Sequence, residues 1–342
     1  MEQPAASPDA MGRLRAMVRG YQLTQAVYVA AKLGIADLLV AGAQDAEALA
    51  AATHTDAAAL DRLMRGLASV GVFEQVDGSR YALAPMGALL RSDVAESQRS
   101  FVILTGDWRW RTWEDLLYSV QTGAPAHDHV YGMEAYTYLN QHPDLGEMFH
   151  AGLIGTPRAQ SSALVVDAYD FAGVSTLADI GGGVGDLLAE ILKRYGAMRG
   201  VLLDLPYSIE VARTYLASQG VADRCTLIGG SFFDDIPARG DMFILRAVTH
   251  NWGDREAISL LKRCREAMDR DTRLLIVDRV VSGTPENEPT GGALIDLEML
   301  VVGSGRERTE HEFVALFESA GLQLCRIIPT KSIFHILEVT RC

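Results

Sequence analysis

The sequence predicts an α/β chain in two parts: a doubly wound parallel sheet toward the C-terminus, preceded by a helical, winged-helix-like region. Three observations carry that expectation. From Thr176 onward, strand-like apolar runs alternate with helical periods, as in parallel strands joined by crossover helices. The first of these strands ends in a glycine-rich turn, and a helix over Leu187–Arg194 follows at once. Upstream, from Leu14 to about Val166, the pattern is mostly helical and rich in Ala, Leu and aromatics. A chain of 342 residues suggests two domains. The change of texture sets them at 1–167 and 168–342, with Gly173 and a short polar break at the join.

Composition removes several function classes. With 49% apolar and 22% charged residues, the chain reads as an ordinary soluble globular protein. Its net charge of -13 would repel phosphate backbones and anionic lipid, so neither nucleic acid nor membrane is an expected partner. No apolar run approaches the roughly 20 residues of a membrane span. Met1–Ala10 is polar, so no signal peptide is expected. Cys225, Cys264, Cys325 and Cys342 lie far apart and read as reduced thiols of a cytoplasmic protein.

In the first half, Asp45 and Asp56 are expected to cap helices over Ala46–Ala52 and Ala57–Val70. A hairpin follows, Val72–Val76 and Arg80–Leu83 around Asp77-Gly78, a strong turn signal. This winged-helix outline could serve DNA, but Arg62 and Arg65 are offset by Asp56 and Asp61. A packing or dimerisation module is the better expectation. The Ala- and Leu-rich stretch Met11–Leu39 has no evident partner within such a unit, which points to a homodimer. Farther on, Trp108 and its aromatic neighbours either pack a core or line a small-molecule site. Phe149 and Leu153, with Met148 and Ile154, form a helical stripe open to the same two readings. His127-Asp128-His129 reads as a solvated loop, so no metal is expected.

The chemistry concentrates in Thr176-Leu-Ala-Asp-Ile-Gly181-Gly-Gly183-Val-Gly-Asp186. Glycines at such a turn let backbone approach a ligand and aim helix N–H groups at it. The dinucleotide pattern Gly-x-Gly-x-x-Gly fails, because Asp186 or Leu188 falls at its last glycine. A turn acidic at both ends suits a cationic or neutral ligand, and S-adenosylmethionine, a sulfonium, is one. Asp204 ends the next strand, where a doubly wound domain places an acid for ribose hydroxyls.

Five ordered blocks then carry a resemblance. Leu202-Leu-Asp204-Leu205-Pro206, Gly229-Gly-Ser231-Phe232-Phe233, Phe243 through Trp252, Leu275-Ile-Val-Asp278 and Arg306-Glu307-Arg308-Thr309 resemble the S-adenosylmethionine-dependent small-molecule O-methyltransferases. That family includes plant caffeic acid and bacterial polyketide enzymes. The resemblance implies a Rossmann-like methyltransferase domain behind a dimerisation domain. It also implies methyl transfer to a hydroxyl of a small aromatic natural product, in secondary-metabolite or antibiotic biosynthesis. Gly181, Gly183, Asp204, Leu205 and Ser231 would hold the cofactor, with Phe232 and Arg246 around the adenine. His250 would be the general base, flanked by Asp278 and Glu307, and Trp108, Phe149, Leu153, Asn251, Glu298 and Met299 would line the acceptor pocket. Three positions depart from the family pattern. Ser231 replaces a usual acid, Asn251 a common Asp, and Glu298 a usual apolar residue that could face solvent or a polar acceptor group. The same cofactor could instead serve C-methylation, hydroxylation or decarboxylation, and a non-catalytic winged-helix regulator is the rival from another class.

Overall fold

The structure, a computed structural model, describes residues 8–153, 157–281 and 292–342. The chain separates into two compact units, Met1–Trp110 and Arg111–Cys342.

The first unit opens with the long helix Pro8–Leu33. Two capped helices follow, Ala46–Thr53 and Ala57–Ser69. Asp45 accepts the Ala48 N–H and Asp56 the Ala59 N–H, each at 2.8 Å. Strands β1 (Gln44–Asp45), β2 (Phe73–Val76) and β3 (Arg80–Leu83) form an antiparallel ribbon in the order β1-β3-β2. The expected hairpin is β2–β3. Asp77 (φ 47°) and Gly78 (φ 74°) supply the two left-handed residues that a tight turn requires. At two residues, β1 is too short to show alternation, so pattern alone does not reveal it. Leu49, Met64, Leu67 and Tyr81 are fully buried, and the Tyr81 hydroxyl donates to Asp61 at 2.7 Å.

In the second unit the sheet comprises β4 (Thr176–Ile180), β5 (Arg199–Asp204), β6 (Cys225–Gly229), β7 (Met242–Arg246) and β8 (Arg273–Asp278). A small parallel pair, β9 (Val280–Val281) with β10 (Arg308–Thr309), lies apart from it. The last strands, β11 (Leu322–Pro329) and β12 (His335–Arg341), form an antiparallel pair, and the order is β11-β12-β8-β7-β4-β5-β6. Side chains alternate between faces. Leu177, Ile244, Leu275 and Val277 join one buried cluster, whereas Ala178, Phe243, Leu245 and Ile276 join the other. The change of texture near 167 marks where helices give way to strand–helix alternation. The compact units part earlier, because helices such as Pro143–Leu153 and Pro157–Ala168 pack on the sheet-covering helices of the second unit.

Strand order reverses between β4 and β7, which are parallel neighbours. The crevice beyond their carboxyl ends is where doubly wound sheets bind ligands. The glycine turn leaves β4 there, and the chain bearing His250 leaves β7.

Candidate active site

Gly181, Gly183 and Gly185 all take the left-handed conformation, at φ 71°, 61° and 79°. Close approach also demands glycine at 181. A Cβ there would lie 2.9 Å from Val248 Cγ2 and 3.3 Å from Phe232 Cε1. Asp204 fastens this turn from the neighbouring strand. Its carboxylate accepts the Gly183 N–H and the Leu205 N–H, each at 2.7 Å. Remaining lone pairs leave it able to accept from a bound hydroxyl as well. Ser231 Oγ accepts the Phe233 N–H at 3.2 Å, a local turn bond.

The resemblance puts Arg246 around the adenine. In the structure its buried guanidinium is committed to Asp186 at 2.5 Å and Ser162 at 2.6 Å, and Ser162 in turn donates to Asp186 at 2.8 Å. Arg246 thus ties the end of β7 to the start of the glycine helix Asp186–Arg194.

Beyond β7 the backbone is strained. Ala247, which has a side chain, sits at φ 52°, and Asn251 Nδ2 donates to its carbonyl at 3.1 Å. The turn Thr249–Asn251 then presents His250. Its Nδ1 lies 3.1 Å from Glu307 Oε1 and 3.8 Å from Asp278 Oδ1. Glu307 is therefore the direct partner. Asp278 is fully buried and accepts the Thr249 hydroxyl. Burial raises the Asp278 carboxyl above the usual carboxylate range, Glu307 adds to the rise, and His250 opposes it. Glu307 arrives because β10 pairs with β9, just past Asp278. If Nδ1 donates to Glu307, Nε2 holds the ring's lone pair and can accept a proton.

An aromatic string runs beside these groups. Trp252 packs edge-on against Phe232 (6.0 Å) and Phe233 (4.6 Å), and stacks on Tyr136 at 5.7 Å, which meets Phe149 at 6.4 Å. Trp252 closes one of the blocks that carry the resemblance and Tyr136 belongs to the aromatic-rich stretch after Trp108, but nothing local distinguishes either from core aromatics. Glu298, on the helix Gly292–Val302, accepts the Trp113 indole N–H at 2.5 Å, and Met299 beside it is half-buried. Trp108 is buried within the first unit. Leu153 ends the helix Pro143–Leu153, but its side chain lies outside the described residues, as does Ile154.

His127 and His129 diverge. His127 is buried against Tyr131 and Tyr138 and bonded to the Met133 carbonyl, whereas His129 stacks on Tyr118 and meets Asp115 at 2.6 Å. Among the described residues no group of three His, Cys, Asp or Glu side chains is arranged to hold a metal.

The O-methyltransferase domain family matches residues 113–323, and the O-methyltransferase dimerisation domain matches 16–93. The chain is 42% identical over 323 residues to a phenazine O-methyltransferase of Lysobacter antibioticus, covering 94% of each. An O-methyltransferase from neocarzinostatin biosynthesis, crystallised with S-adenosylmethionine and 2-hydroxy-5-methylnaphthoic acid, superposes with a TM-score of 0.80 at 31% identity. That match covers 94% of this chain and 96% of the other. Aclacinomycin 10-hydroxylase of Streptomyces purpurascens is 36% identical over 303 residues, covering 87% and 81%. The fold and these matches define the class: this chain belongs to the S-adenosylmethionine-dependent O-methyltransferase family.

Proposed function

We propose that the enzyme methylates a hydroxyl of a small aromatic natural product, with His250 as general base. The observation that carries this reading is the 3.1 Å contact of His250 Nδ1 with Glu307 at the strand-order reversal, beside the glycine turn. The left-handed glycines at 181, 183 and 185 leave the turn without side chains of its own, which suits backbone contact with a bound ligand. Gly181, Gly183, Asp204, Leu205, Ser231 and Phe232 would hold S-adenosylmethionine, which when bound supplies a methyl group on a sulfonium.

The residues of the chain do the rest. A phenol has a pKa near 10, so only about 0.1% is ionised at pH 7. Proton acceptance at His250 Nε2 during attack is worth roughly 10²–10⁴-fold. Glu307 fixes the ring tautomer and steadies the positive charge that develops, while Asp278 acts from 3.8 Å. Phe149, Asn251, Met299 and Glu298 would orient the acceptor, an alignment worth several kcal/mol. The N-terminal unit would supply the dimer contact, through the exposed apolar side chains of Pro8–Leu33.

A second reading, the same cofactor with different chemistry, is favoured by one observation, the identity to the hydroxylase. Methyl-labelled S-adenosylmethionine and a panel of hydroxylated aromatics separate the two. Label on an acceptor oxygen is the expected result, and oxygenated or decarboxylated product without label would overturn the proposal.

A further inference from the structure

We propose that Arg308 is a positioning residue for His250: its guanidinium fixes the turn that carries the imidazole and supplies the buried positive charge opposing two carboxylates. The inference rests on the reading of His250 as base.

Arg308 is 1% exposed, and its charge is fully engaged. Nη1 donates to the Thr249 carbonyl at 3.0 Å, and Nη2 donates to the Trp252 carbonyl at 2.8 Å. The guanidinium thus grips the chain on both sides of His250. Nε and Nη2 also donate to Asp254 at 3.1 and 2.8 Å, which ties the turn to the following helix Asp254–Ala267. The carbonyl of His250 itself accepts the Arg306 N–H at 2.8 Å. A Cβ at Gly305 would come within 2.2 Å of that same oxygen, so only glycine lets the 305–308 segment lie this close. A planar fork with fixed donors can span two carbonyls and a carboxylate, which an ammonium cannot do.

Charge supplies the second argument. His250 faces Asp278 at the end of β8 and Glu307 ahead of β10, and both acids are buried. Asp296, on the helix Gly292–Val302, accepts the Glu307 N–H at 2.7 Å and adds a further negative charge nearby. Arg306 turns outward to Glu312 and Asp254, while Arg279 follows Asp278 and is largely buried. Two carboxylates close to an imidazole favour its protonated form, and a protonated ring is no base. The positive charge of Arg308, adjoining Glu307 in the chain, works against that bias.

The test compares Arg308→Met and Arg308→Lys in the full chain, with fold checked by circular dichroism. His250 ionisation is followed by NMR of histidine-labelled protein, kcat is measured from pH 5.5 to 9, and cofactor Kd by calorimetry. For Arg308→Met the expected result is a His250 pKa raised by about one unit, with the rise of kcat displaced equally to higher pH. Cofactor Kd should stay within about twofold, since Arg308 faces the turn rather than the glycine loop. Arg308→Lys should leave the pKa near wild type yet lower kcat roughly tenfold, through lost orientation. An unmoved His250 pKa in Arg308→Met, or wild-type kcat in Arg308→Lys, would overturn the proposal. Should Arg308→Met not fold, Arg308→Lys decides the question through kcat alone. A raised pKa without a displaced rate profile would uphold the charge effect and refute His250 as the base.

Discussion

Asp204 shows how one side chain serves two ends. Each of its oxygens accepts a backbone N–H, from Gly183 and from Leu205, so the acid organises the glycine turn before any ligand arrives. Its place at the end of the second parallel strand made it readable as a ribose acid, but its grip on the turn depends on β4 and β5 lying side by side. Removing it should loosen the turn and delete a charge-assisted bond to the cofactor together. We therefore expect Asp204→Ala to weaken S-adenosylmethionine binding by about 1–3 kcal/mol in calorimetry. Wild-type affinity in that variant would take Asp204 out of the cofactor site. His250 was legible because its residue type and position after a strand suit a base. The bonds of Thr249, Arg308 and the Arg246–Asp186–Ser162 group were not, since these partners lie 24 to 84 residues apart in sequence.

Among the elements, those with local chemistry were read to within a residue or two: the two Asp-capped helices and the Asp-Gly hairpin. The two-residue strands β1, β9 and β10 were not legible, because they carry no period and exist only through their partners. Yet β10 brings Glu307 to His250. One strand in from the edge of the sheet, β12 holds another buried acid, Glu338, which accepts from Tyr169 at 2.8 Å and Arg326 at 2.8 Å, with Arg273 at 3.8 Å. Burial alone would raise its carboxyl, but these bonds and charges hold it below the usual glutamate range. A depressed carboxyl contributes its stability above the unfolded value, near pH 4.3, and loses it as pH falls through the folded value. Thermal melts should therefore show Glu338→Gln about 1–2 kcal/mol less stable than wild type at pH 7. The gap should close as the pH is lowered below about 4.3. A gap independent of pH would assign the loss to packing instead.

For the whole molecule, the division into units was only partly readable. Helical texture runs on to about residue 167, but which helices bury against the sheet-bearing unit is a matter of tertiary contact. No helix among the described residues is long and apolar enough to cross a membrane. The long first helix leaves Leu14, Met17, Val18 and Tyr21 more than half exposed in the single chain, an apolar stretch that water penalises. We expect light scattering to give twice 37.1 kDa at micromolar concentration, and Met17→Glu with Val18→Glu to shift the population toward monomer. A wild-type mass of one chain would refute the dimer.

If His250 takes the acceptor's proton at a site whose cofactor grip is independent of it, single-turnover methyl transfer by His250→Ala, measured beside its cofactor affinity, should reveal both properties at once. The expected rate is lowered roughly 10²–10⁴-fold, with S-adenosylmethionine bound as tightly as by wild type. A variant that transfers methyl at the wild-type rate from pH 6 to 9 would contradict it and return His250 to a structural role.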